Sequence, residues 1–233
     1  ILQKILRKIE DAVEPDITTN ELDRIAEKQI EKNGGSPAFK GYQGFPNALC
    51  TSINEEIVHG IPSERKLESG DIISLDLGIK KDGYFVDAAT TVEVNQVSEI
   101  VHKIVDTAKE ALTKGIQAAK IGNRVSDISS AIGDFVKSRN LNVVKEFVGH
   151  GIGRKLHEDP QIPNYGEPGE GQRLKEGMVF CIEPMVKQDD KSVEVLEDGW
   201  TAVTYDRRPA SHFEGMIAIT SNGPEELVRG GVK

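Results

Sequence analysis

The sequence predicts an α+β protein made of two pseudo-symmetric halves, and two observations lead there. Hydrophobic periodicity along the 233 residues runs from helical to strand-like, then repeats that order once. In addition, Lys66, Leu67, Gly70 and Asp76 are matched at identical internal spacing by Arg173, Leu174, Gly177 and Glu183, each set ending an apolar run on a carboxylate. Chance is the alternative reading of one four-position match. A duplicated unit would instead set Asp76 and Glu183 at equivalent places about a pseudo-twofold axis. No linker rich in Pro, Ser or Gly separates the halves, so residues 1–233 read as one domain with repeats at about 1–97 and 98–233.

Each element has a local cause. Ile1, Leu2, Ile5, Leu6, Ile9 and Val13 recur at three-to-four spacing and form a helical stripe that Pro15 stops. Thr18 and Glu21 make a capping-box pattern for a second helix, with Leu22, Ile25, Ala26 and Ile30 as its apolar face and Gly34–Gly35 as its stop. Residues 49–95 turn to β-rich runs, notably 72–77 and 84–94. Helical spacing returns at Ile100, Val101, Ile104, Val105, Ala108, Ala111 and Leu112, and again at Val125, Ile128, Ile132, Phe135 and Val136. Short β-branched runs near 143–148, 178–182, 193–196, 201–204 and 213–220 complete the order.

Composition narrows the function. A formal net charge of −9 weighs against duplex nucleic acid or an anionic membrane as partner, since both need a basic surface. No apolar run approaches the roughly 18 residues of a spanning helix, and residues 1–10 read as a charged amphipathic helix, not a signal peptide. A cytoplasmic location is the expectation. Cys50 and Cys181 lie far apart without CxxC spacing, so they read as reduced and buried rather than as a disulfide or zinc scaffold.

The chemistry lies in carboxylates at unusual places. Asp is depleted in strands, yet Asp76 sits inside ISLDLG and Asp87 inside YFVDAATT. Asp82–Gly83 between these runs is a strong hairpin signal. A two-residue loop there pairs Lys81 with Tyr84, which sets Asp76 opposite Ala89 and Gly78 opposite Asp87. Both aspartates then share one face as diagonal neighbours, roughly 7–8 Å apart at the backbone. Converging like charges call for a raised pKa or a bound cation. A different loop length would turn one of them to solvent. Glu183 in FCIEPMV and Glu214 in SHFEGMIAIT repeat the anomaly. Among the histidines, His150 stands between Gly149 and Gly151, where missing side chains permit close backbone approach around an imidazole. His59 and His157 lie in turn contexts, His102 fits a structural role on its helix, and His212 is ambiguous. The seven-residue spacing from His150 to His157 does not match a helical HExxH site. Asp76, Asp87, His150, Glu183 and Glu214 together supply four carboxylates and one imidazole, enough for two adjacent divalent ions.

With these residues in place the sequence resembles the type I methionine aminopeptidases of the pita-bread metallopeptidase family. The likeness runs through FPNALCTSINEEIVHGIP, DIISLDLGIKKDGYFVD, EFVGHGIGRKLHEDP, GMVFCIEPMV, DGW and the strand of Glu214, in the family's order. It implies helices packed on a curved antiparallel sheet and two divalent ions per chain, whether Co, Mn, Fe or Zn. Their ligands would be Asp76, Asp87, His150, Glu183 and Glu214, with Asp87 and Glu214 bridging. It further implies His59 and His157 as substrate-contacting histidines, Glu183 as proton acceptor, and Tyr42, Phe45, Cys50, Leu156 and Trp200 as the methionine pocket. Without the likeness, Trp200 reads as a core aromatic beside the Asp198–Gly199 turn. The implied substrates are N-termini of nascent polypeptides with a small second residue, met at the ribosome. No large exposed apolar stripe is evident in the sequence, so a monomer is the expectation. Three departures stand out: Leu156 where many relatives carry an aromatic, Gly215–Met216 where histidine and threonine are common, and a start at Ile1 without the usual short lead. Two other readings remain, a proline-specific aminopeptidase or dipeptidase of the same fold and a catalytically silent interaction module. GHGIGRKLHE and the compact His157-to-Glu183 spacing favour the methionine enzymes over the proline-specific ones, and the complete ligand set argues against the silent module.

Overall fold

A computed structural model describes residues 1–231. The chain opens with helices α1 (Leu2–Glu10) and α2 (Thr19–Lys32), followed by strands β1 (Leu49–Ile53), β2 (Ile72–Lys81) and β3 (Tyr84–Glu93). Strand β2 is central: β3 covers one edge, and β1 shares the other with the short Ser36–Pro37 strand. Helices α3 (Glu99–Ala118) and α4 (Val125–Ser138) begin the second half. Its antiparallel five-stranded sheet contains β4 (Gly149–Gly151), β5 (Glu158–Ile162), β6 (Val179–Ile182), β9 (Gly215–Thr220) and β10 (Gly223–Arg229). Two short strands between β6 and β9, β7 (Met185–Lys187) and β8 (Ser211–His212), pair with each other.

The same backbone contacts occur in both halves. An isolated antiparallel bridge joins Thr18 to Lys66, and another joins Arg124 to Arg173. The Leu67 N–H donates to the Ile17 carbonyl at 2.9 Å, and the Leu174 N–H to that of Asn123 at 2.8 Å. Gly70 and Gly177 both hold positive φ, +101° and +85°, and donate to the carbonyls of Val94 and Ile219. The residues matched in sequence therefore perform matched structural tasks, which chance does not supply. Even the helix caps correspond: Glu21 accepts from the Thr18 N–H at 2.8 Å, and Asp127 from the Arg124 N–H at 2.6 Å.

Each sheet buries one face under its helices. In the first half, Leu75 and Leu77 of β2 pack with Leu2, Ile5, Leu6, Leu22, Ala26 and Ile30. In the second, Phe180 and Ile182 of β6 pack with Ile104, Ala108, Leu112, Ile128 and Ile132. Because strand side chains alternate, Asp76 and Cys181 must turn the other way, toward the opposite face. Two helical stripes are narrower than the sequence suggests. Ile1 and Ile100 remain exposed at 53% and 42%, each beside the start of its helix. The run expected over 143–148 is strand only at 142–143, and Phe147 turns inward.

Candidate metal centre and substrate cavity

The register of the β2–β3 hairpin is the one its loop dictates. Lys81 pairs with Tyr84, Asp76 with Ala89 and Gly78 with Asp87. Asp82 and Gly83 take the positive φ values, 51° and 82°, that such a turn requires. The second half delivers Glu214 to the same place: its N–H donates to the Ala89 carbonyl at 2.9 Å, which fastens it to β3. One oxygen from each of Asp76, Asp87 and Glu214 lies within 4.8 Å of the others. A second group of the same compactness contains His150, Cys181 and Glu214, so Glu214 is common to both. His150 Nε2 is also 3.7 Å from Glu183 Oε1.

Glycine makes the imidazole's position possible. A Cβ on Gly149 would stand 2.4 Å from the Cys181 carbonyl oxygen, and one on Gly151 only 2.2 Å from that of Asp159. His150 Nδ1 donates to the Gly151 carbonyl at 2.9 Å, leaving the Nε2 lone pair directed at the carboxylates. That arrangement is the one metal-bound histidines adopt.

The electrostatics of the cluster call for cations. Burial pushes the Asp76 carboxyl up to about 7. Asp87, Glu183 and Glu214 are held well above the ordinary carboxylate range, first by burial and then by one another's charge and that of Asp76. One buried oxygen each of Asp76, Asp87 and Glu214 has no hydrogen-bond partner among the described residues. Four buried carboxylates, three of them with an orphaned oxygen, and one oriented imidazole fit divalent ions, whose charge would reverse these shifts. Cys50 and Cys181 are free and buried, and burial raises both thiols well above their usual range.

The cluster forms the floor of a cavity of about 810 Å³, and every residue singled out for the site from sequence lines it. Tyr42, Phe45, Cys50, Leu156 and Trp200 supply an apolar wall, with the Phe45 and Trp200 rings edge to face at 5.2 Å. Asp23 of α2 anchors that wall by accepting from the Ala48 and Leu49 N–H groups at 2.9 and 3.0 Å and from the Asn47 amide at 2.7 Å. His59 sits at φ 60°, between Phe147 at 5.2 Å and Trp200 at 6.4 Å. His157 lies 4.4 Å from His150, ring to ring. Burial lowers the imidazole pKa of His59 and His150 to about 4 and also lowers that of His157, so all three are neutral near pH 7. Phe39, Phe147 and His212 are among the further lining residues that sequence reasoning did not assign to the site. His212 has a usable signal, since it lies two positions before Glu214 in the same short segment.

Carboxylates and one imidazole gathered beneath an apolar cleft, on a fold of two helix-covered halves, define a metal-dependent hydrolase of the pita-bread type. Comparison with known proteins agrees. The profile of metallopeptidase family M24 matches residues 1–221. Methionine aminopeptidase 1 of Bacillus subtilis is 51% identical over 217 residues, covering 93% of this chain and 88% of the relative. The methionine aminopeptidase of Clostridium perfringens is 48% identical over 227 residues, covering 97% and 91%. The crystal structure of methionine aminopeptidase from Thermotoga maritima superposes with a TM-score of 0.95 at 44% identity, over 97% of this chain and 91% of that one. A prolidase from Pyrococcus furiosus, 24% identical with a TM-score of 0.77 over 97% of this chain and 60% of that one, shares the fold. The chain belongs to metallopeptidase family M24.

Proposed function

We propose that this protein removes the N-terminal methionine from newly made polypeptides, with preference for a small second residue. The observation that carries the reading is the convergence of Asp76, Asp87, His150, Glu183 and Glu214 on the floor of one cavity whose apolar wall suits an unbranched thioether. The five side chains are read as ligands of two divalent ions, with Asp87 and Glu214 shared. Mn, Fe, Co and Zn all suit a carboxylate-rich set with one imidazole. When bound, such ions lower the pKa of a water toward neutrality and polarise a carbonyl.

The chain's own residues do the rest. Glu183 accepts the proton of the attacking water at a carboxylate oxygen and passes it to the leaving amine. His157, neutral and hydrogen-bonded through Nδ1 to Tyr42, presents Nε2–H to the scissile carbonyl and stabilises the developing oxyanion. His59 hydrogen-bonds the substrate backbone near the scissile bond. Tyr42, Phe45, Cys50, Leu156 and Trp200 hold the methionine side chain. Residues 1–233 are read as one catalytic unit. Unprocessed methionine termini occur where chains are made, which supports a cytoplasmic monomer meeting its substrate at the ribosome.

The test is release of free methionine from Met-Ala-Ser, with and without a chelator, beside an Xaa-Pro peptide. Chelator-sensitive release from the first peptide alone is the expected result. Cleavage of only the Xaa-Pro peptide would make the protein proline-specific, and no cleavage by metal-loaded protein would make it a silent module.

A further inference from the structure

His212 is a buried imidazole that the mechanism above leaves without a task. Its side chain is 2% exposed, it lines the cavity, and neither ring nitrogen has a hydrogen-bond partner among the described residues. Two unsatisfied nitrogens in an interior are unfavourable enough to demand an explanation. The backbone beneath the ring is fixed on both sides. His212 pairs in register with Met185, two residues after Glu183. Thr91 Oγ1 accepts from the His212 N–H at 3.0 Å and donates to its carbonyl at 2.9 Å. The ring is therefore aimed by two separate strands, and it points at Glu183: His212 Nε2 stands 3.8 Å from Oε2.

Glu183 thus lies between two imidazoles of opposite character. On the Oε1 side, His150 has committed its Nδ1–H to the Gly151 carbonyl and offers a lone pair. A lone pair and a carboxylate oxygen 3.7 Å apart repel unless a cation joins them. On the Oε2 side, His212 has no such commitment and is free to offer an N–H. The last torsion of a glutamate is broad, so the contraction of about 0.8 Å to hydrogen-bond length is cheap.

We propose that His212 is a positioning residue for Glu183, donating Nε2–H to Oε2 and turning Oε1 toward the side shared with His150. The assignment deepens the aminopeptidase reading and rests on it. It also distinguishes the two carboxylate oxygens: Oε2 is engaged by a donor, and Oε1 faces the side shared with His150.

Long-range ¹H–¹⁵N correlation on histidine-labelled, metal-free protein reads the tautomer directly in the wild type, with His212→Gln giving the assignment. The Nε2–H form is expected, and an Nδ1–H form overturns the proposal. A pair of variants separates hydrogen bonding from packing. His212→Leu removes the donor and is expected to weaken Mn²⁺ affinity, measured by calorimetry, by about 10- to 100-fold. His212→Gln keeps an N–H and is expected to stay within about threefold of wild type. Wild-type Mn²⁺ affinity in His212→Leu, or equal loss in both variants, also overturns it. Methionine release by the wild type tests the underlying reading separately. Turnover with an Nδ1–H tautomer sinks only the His212 assignment, whereas no turnover sinks the aminopeptidase.

Discussion

The Tyr42 hydroxyl lies 2.8 Å from Nδ1 of His157. Between a phenol and a neutral imidazole, the better donor is O–H and the better acceptor is nitrogen, so Tyr42 donates and His157 carries its proton on Nε2. The contact fixes a tautomer as well as an orientation, and the Nε2–H it leaves is the donor that the proposed contact with a scissile carbonyl requires. Tyr42→Phe keeps the ring in the cavity wall and deletes only this hydroxyl. We expect kcat to fall about three- to tenfold, the worth of one hydrogen bond, with KM within about twofold. Steady-state kinetics on Met-Ala-Ser check this. A change confined to KM would show that the hydroxyl serves the pocket instead.

Asp87 illustrates how function and stability oppose each other. Its side chain is 3% exposed, and burial followed by the charges of Glu214 and Asp76 holds its carboxyl far up. Asp87→Asn preserves volume while removing a charge and a ligand. Turnover should drop below about 1% of wild type together with bound metal, since under the proposed ligand assignment Asp87 would serve both ions. The metal-free variant should nevertheless melt several degrees higher than metal-free wild type at pH 8, because one buried repelling charge is gone. Metal analysis beside scanning calorimetry reads both effects, and a lower midpoint would contradict the electrostatic account.

The same carboxylates give metal-free protein a pH dependence of definite sign. Asp76 has a folded-state pKa of about 7 against 3.8 unfolded. The native state therefore holds the proton more tightly. The associated stability is complete below the unfolded pKa and is lost as pH rises through about 7. Asp87, Glu183 and Glu214 act in the same direction and extend the loss upward. His59 and His150, lowered to about 4, act oppositely, but their effect lies below their unfolded pKa of 6.5. From pH 6.5 upward these histidines no longer oppose the carboxylates, and His102, whose pKa is raised by its hydrogen bond to Glu93, adds to the same loss. Metal-free protein should lose stability in urea steadily from pH 6.5 to 8.5, while Mn²⁺-loaded protein should show a much flatter profile. A rising metal-free profile would mean that the site carboxylates are not sharing a buried face.

Much of the site was legible because strand geometry constrains it tightly. The Asp82–Gly83 dipeptide determines the pairing of Asp76 with Ala89 and of Gly78 with Asp87, and with it the shared face of both aspartates. Glu183 and Glu214 stand out as charges in apolar runs, although each falls in a two-residue gap between strands and not inside one. Elements without a one-sided apolar pattern escaped. The edge strand β10, GPEELVR, is exposed through its centre and half-buried at both ends, and β5, EDPQI, carries a proline and two acids. Phe39 and Phe147 look like ordinary core aromatics in sequence. Their place in the cavity depends on chain segments that no local period describes. His212 gave no sign of its burial, because the clamp from Thr91 is more than a hundred residues away in sequence.

Gly151 should be the least replaceable of the glycines around the imidazole. Its φ is not positive, so the constraint is space and not conformation. An added Cβ would meet the Asp159 carbonyl oxygen at 2.2 Å, its carbon at 2.7 Å and the Glu158 carbonyl oxygen at 2.9 Å. All three are backbone atoms of the paired strand β5 and cannot swing aside as a side chain does. The Gly151 carbonyl is also the acceptor that orients His150, so separating β4 from β5 misdirects Nε2 as well. Gly151→Ala should destabilise the fold by about 2 kcal/mol or more and weaken Mn²⁺ binding. Gly153→Ala is the matched control: its Cβ would come no nearer than 3.5 Å to the Glu158 carboxylate, an ordinary contact. That variant should stay within about 0.5 kcal/mol of wild type in urea denaturation. Equal behaviour of the two alanine variants would mean that close approach of β4 and β5 does not hold His150 in place.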